Sequence, residues 1–102
     1  MIIRIVKLTF QDDKVIDFLN FFETIKLKVN DFPGCQGMQL VQDLKDTCVI
    51  FTYSQWKSEI DLNNYRKSET FHGVWPYIKP WFKSKPEAWT TTLVFNGFNI
   101  ES

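Results

Sequence analysis

A chain of 102 residues has room for a single domain and one core, since domains run to roughly 100–150 residues. Twelve basic and twelve acidic residues cancel without any run of like charge, so the footprint of a nucleic-acid or anionic-membrane binder is missing. Aromatic residues reach 17%, which suits a core, a pocket wall or an interface alike, and the apolar runs fall far short of the ~20 residues that cross a bilayer.

The opening MIIRIVKLTF is interrupted by Arg4 and Lys7 and has no small-residue cleavage site. It reads as a first strand over 2–10 and not as a signal peptide. One face would carry Ile2, Arg4, Val6, Leu8 and Phe10, and the other Ile3, Ile5, Lys7 and Thr9. Both are partly apolar, so the strand should be covered on both sides. Gln11, Asp12 and Asp13 offer a helix N-cap, with acid at the positive end of the dipole. Apolar residues then recur at 15, 18, 19, 22, 25 and 29, one face of a helix that should stop near Asn30, before Asp31-Phe32-Pro33-Gly34.

Residues 35–43 and 47–55 read as two strands around Leu44-Lys45-Asp46, with paired positions summing to about 90. That register puts Cys35 and Cys48 at opposite ends of the hairpin, as reduced thiols of a cytoplasmic protein. Ser58-Glu59-Ile60-Asp61 resembles a capping box, and Ser68 looks like a second N-cap. Phe71, Val74, Trp75, Ile78 and Phe82 follow at helical spacing, while Pro76 and Pro80 predict a break between about Gly73 and Pro80. Residues 88–95 read as a last strand, and 96–102 as a tail.

The order strand, helix, strand, strand, helix, strand predicts one α+β domain over 1–102, with ferredoxin-like βαββαβ topology. Its four-stranded antiparallel sheet would carry the helices on one face. The bare face, apolar through Ile3 and Ile5, needs a cover, and a second copy is the simplest one, so a homodimer is expected.

No CxxC, HExxH, GxSxG or Gly-rich phosphate loop is present. His72 is the only histidine, so no site with two histidines can form in one chain, and neither metal nor cofactor is expected. His72 is a candidate general acid or base flanking the apolar stripe, or else a half-exposed surface histidine. Arg4, among apolar neighbours, either snorkels out, pairs with an acid, or reaches into a pocket to hold an oxyanion. Trp56, Tyr65, Trp75, Tyr77 and Trp81 could wall a pocket or fill the core. A break near Pro76 would leave a gap walled by Tyr65, Phe71, Trp75 and the Val6–Leu8 face. Arg4, His72 and Asn64 are its polar anchors, and its ligand would be flat and apolar.

The run from Trp56 through Ser58, Leu62 and Ser68 to Phe71 resembles the W-x-S-x-x-x-L…S-x-x-F signature of the antibiotic biosynthesis monooxygenase (ABM) family. The Phe32-Pro33-Gly34-Cys35 turn and the opening strand resemble it too, over about residues 1–95. The resemblance implies a dimeric α+β barrel with a pocket between helices and sheet in each subunit. It also implies metal- and flavin-free oxygenation of phenols or quinols, in which the electron-rich substrate itself reduces oxygen. Haem-degrading relatives carry Asn, Trp and a ligating His where Val6, Tyr65 and Trp75 stand here, so haem degradation is disfavoured. Many members also have histidines where Tyr65 and Thr70 stand. The resemblance therefore leaves two expectations: a cofactor-independent monooxygenase on a small aromatic, phenolic or quinol-type substrate, with His72 as base, or a non-catalytic dimeric ligand-binding or stress-related protein.

Overall fold

Strand β1 (Ile2–Thr9) is paired along both edges, by β3 (Val49–Trp56) and by β4 (Glu87–Thr92), and β2 (Cys35–Gln42) adds outside β3. All three pairings are antiparallel, and the order β2-β3-β1-β4 is ferredoxin-like. Helices α1 (Val15–Asn30), α2 (Glu59–Arg66) and α3 (Glu69–Ile78) form the second layer. The computed structural model describes residues 1–98, so residues 99–102 of the tail expected at 96–102 lie outside the described residues. Among the described residues no helix is long and apolar enough to cross a membrane.

Alternation along the strands sorts side chains between two faces. Leu8 and Ile50 point to the helices and join Phe10, Val15, Phe18 and Ile78 in the core. On the bare face Ile3 is already buried, whereas Ile5, Phe51 and Tyr53 are half-buried and Val41 and Trp89 are close to half exposed.

Three local expectations are corrected and a fourth is narrowed. Gln11 does not cap α1; its side-chain amide donates instead to the Pro80 and Phe82 carbonyls, and Asp12–Lys14 forms a 3-10 turn ahead of the helix. From Gly37 to Gln42 the hairpin register sums to 92, which keeps those side chains on the expected face because the shift is even, while a bulge between Cys35 and Gly37 sets Cys35 against Trp56. The cause is a longer turn: Asp43 accepts from the Lys45 and Asp46 amides and Asp46 from the Cys48 amide, so β3 begins only at Val49. The expected break between Gly73 and Pro80 falls at its far end: helix α3 runs through Pro76 to Ile78 and then tightens to a 3-10 turn at Lys79–Trp81. The bond that Pro76 forgoes would have gone to the His72 carbonyl, and both residues are exposed. The last strand spans Glu87–Thr92 and not 88–95.

Both serine caps form. Ser58 Oγ accepts the Asp61 amide and donates to the Asp61 carboxylate at 2.9 Å, and Ser68 Oγ accepts the Phe71 amide. The turn after α1 is locked to the first of these caps. Gly34 has φ +88°, and a Cβ added there would collide with the Asp61 side chain. Gly34→Ala should therefore destabilise the protein by about 1–3 kcal/mol, from the strained backbone and the displaced cap together. Gly73→Ala, at an open helical position, should be neutral or stabilising by up to ~1 kcal/mol. Urea unfolding of the two variants checks the contrast.

Candidate active site

The helical layer does not close completely on the sheet, and a cavity of about 440 Å³ remains between them. Its walls follow from periodicity. Arg4, Val6 and Leu8 alternate on β1, Thr52, Ser54 and Trp56 on β3, and Phe18, Phe22, Ile25 and Val29 form the inner stripe of α1. Leu62, Tyr65 and Arg66 come from α2, and Phe71, Val74, Trp75 and Ile78 from α3. Arg66 and Ala88 are exposed lining residues and mark the mouth. The helical layer over the cavity is two helices that meet at Lys67 and Ser68, and Pro76 lies within the second of them, away from that junction.

Large rings in successive contact bound much of the cavity. Trp56 and Tyr65 lie with centroids 5.1 Å apart, Tyr65 and Phe71 5.5 Å, and Phe71 and Trp75 5.9 Å in stacked orientation. Trp56 is fully buried, and its indole N–H donates to Ser54 Oγ at 2.9 Å. Burial pushes the Tyr65 phenol up from 10.0 to about 12, so at neutral pH it is a neutral hydrogen-bond donor. Arg4 donates to Thr90 Oγ1 at 2.7 Å, and its pKa is lowered first by burial and second by the charge of Arg66.

Of the residues proposed from sequence, Arg4, Val6, Tyr65, Phe71 and Trp75 come together around this cavity. His72 and Asn64 do not line it. His72 is exposed, and its Nδ1 sits 2.8 Å from the Ser68 carbonyl, which requires the proton on that nitrogen. It lies one residue, about 100°, from Phe71, and that rotation carries it out of the site. Asn64 is likewise exposed on α2. Tyr77 and Trp81 pack instead with Phe21, outside the cavity lining, Phe21 and Tyr77 being stacked at 4.4 Å. Arg66 and Ser54 were missed. Arg66 lies four residues beyond Leu62 on the same helical face, and Ser54 shares the inward alternation of Trp56; both signals were legible. The Cys48 thiol donates to the Asp12 carboxylate and Cys35 is partly buried, and both thiols are held above their ordinary pKa.

A family model described as antibiotic biosynthesis monooxygenase matches residues 1–74. Among solved structures, a candidate antibiotic biosynthesis monooxygenase from Nitrosomonas europaea superposes with TM-score 0.86 at 15% identity, covering 93% of this chain and 100% of its own. A protein of Methanosarcina mazei Go1 gives 0.82 at 22% identity, covering 89% and 91%, and one from Mycobacterium tuberculosis gives 0.85 at 11%, covering 94% and 97%. At such identities these likenesses concern the fold alone. No curated protein matches.

The shift of Tyr65 has a signature in stability. Its folded-state value lies above the unfolded one, so its contribution is whole below pH 10 and is lost as pH rises through about 12. Unfolding free energy should fall across that window, and Tyr65→Phe should flatten the fall. Denaturation of both proteins at a series of alkaline pH values provides the check.

Proposed function

Because the chain belongs to the antibiotic biosynthesis monooxygenase family, we propose that it oxygenates a small aromatic, phenolic or quinol-type substrate in this cavity, without metal or organic cofactor. The observation that carries the reading is the cavity itself, whose volume falls within the roughly 300–1,000 Å³ of small-molecule sites and whose walls are largely apolar, with six aromatic rings among them. Flat rings offer a flat substrate stacking surfaces on several sides. Among the described residues no His, Cys, Asp or Glu lines the cavity, so its side chains suit an organic body better than a metal ion.

In such a reaction the substrate supplies the electrons. A methylene held between aromatic rings becomes a carbonyl, one O₂ is consumed and one water is released, which balances without an external reductant. The chain's own contribution is to bind and orient the substrate and to favour its ionised, electron-rich form. The positive charge of Arg4 favours a phenolate over a phenol, and the Tyr65 hydroxyl, kept protonated, can donate to an oxyanion.

Oxygen-electrode measurements with a panel of hydroquinones and anthrones test the reading. Uptake should exceed the protein-free control for at least one substrate. Trp75→Ala and Tyr65→Phe should each lower it by about tenfold or more, while His72→Ala leaves it unchanged. Activity that survives Trp75→Ala but is abolished by His72→Ala would place the chemistry outside this cavity.

We also infer that two copies pair through the bare face of the sheet. The support is the apolar surface left there at Val41 and Trp89, continued by exposed Val94, Phe95 and Phe98 beyond β4. Such an interface should bury ~1,600 Å² or more in total. Light scattering at micromolar concentration should return twice the 12.1 kDa chain mass, and Trp89→Glu should shift it towards the monomer.

A further inference from the structure

We propose that the ligand of this cavity carries a carboxylate of its own, held between Arg4 and Arg66 at the mouth while its aromatic body lies against the rings. The inference rests on the aromatic-substrate reading above and narrows it to aromatic acids.

The argument begins with charge. Arg4 and Arg66 both line the cavity, and among the described residues no acidic one does. Among the described residues the ion pairs are Lys7 with Glu87, Lys14 with Asp17 and Lys26 with Glu23, so neither arginine has a carboxylate within 4.0 Å. Arg4 stands on the middle strand of the β3-β1-β4 trio, opposite Ser54 on one side and Thr90 on the other. Its one described partner is the Thr90 hydroxyl, a neutral acceptor that occupies one of five N–H donors. A partly buried cation beside a second cation is a costly arrangement, and an arriving anion removes the cost. The downward pull that burial and Arg66 exert on Arg4 agrees with this placement.

Geometry then selects the anion. Each guanidinium is a planar fork that matches a planar carboxylate through two parallel hydrogen bonds. Among the described residues the cavity lining has no lysine and no glycine-rich backbone loop, the groups that commonly cradle a phosphate. A carboxylate at the mouth also leaves the apolar body to fill the interior, where Phe22, Trp56, Phe71 and Trp75 wait.

Isothermal titration of the full chain with a hydroxynaphthoic acid, its methyl ester and the parent naphthol tests the proposal. The acid should bind at least about tenfold more tightly than the ester, and added salt should shrink the difference. Arg66→Gln, on an exposed helical turn, should remove most of that preference, and Arg4→Gln the same where circular dichroism shows it folded. Equal binding of acid and ester by the unmodified chain would overturn the carboxylate inference and leave the aromatic cavity standing. So would an acid preference that survives Arg66→Gln and Arg4→Gln alike. Failure of all three compounds to bind would overturn both.

Discussion

Trp56 sets the distance between the two layers. Its ring is buried at the inward end of β3, and its one polar atom is satisfied by Ser54 two residues earlier on the same face. Phe32 and Tyr65 lean on it with centroids 6.3 and 5.1 Å away, so the turn after α1 and the helix α2 both rest on a single indole. A side chain of this size holds α2 off the sheet at one end. At the other end Phe10, Phe18 and Ile50 pack tightly, and Phe10 and Phe18 stack at 4.4 Å. The wedge between a propped end and a closed end is the cavity.

The same wedge explains where polarity enters. Along β1 the inward positions run Leu8, Val6, Arg4, from the closed end towards the propped one. Charge is thus excluded where packing is tight and tolerated where the layers part and solvent reaches Arg66 and Ala88. Tyr65 sits between these regimes, buried enough to keep its proton and lining the same cavity as the two arginines.

Much of this was legible in the amino-acid order because helices and strands obey fixed periods. The stripe of α1 and the Ser58 and Ser68 caps follow from local rules that tertiary contacts reinforce. The hairpin faces survived a register error because a slip of two residues preserves parity. What escaped depended on distant partners. Gln11 is drawn from its capping role by carbonyls about seventy residues away, and the hairpin turn is lengthened by two aspartates acting through their side chains. Pro76 stays within α3 on its exposed side, beside exposed His72, a matter of helix orientation that spacing cannot reveal. Arg66 was passed over because a charged residue at a helix end reads as solvated, although its position on the helix pointed inward.

The placement of β1 between β3 and β4 has a consequence for how the chain comes to be folded. β1 leaves the ribosome before either of the strands that pair with it: Arg4 pairs across to Ser54 on one side and to Thr90, 86 residues on, at the other. Until β4 has emerged, β1 presents an unpaired apolar edge, the kind of surface that recruits chaperones or stray strands. Contacts so far apart in sequence also slow folding relative to a helical protein of equal size. Arg4 is therefore held in place by a strand made well after its own.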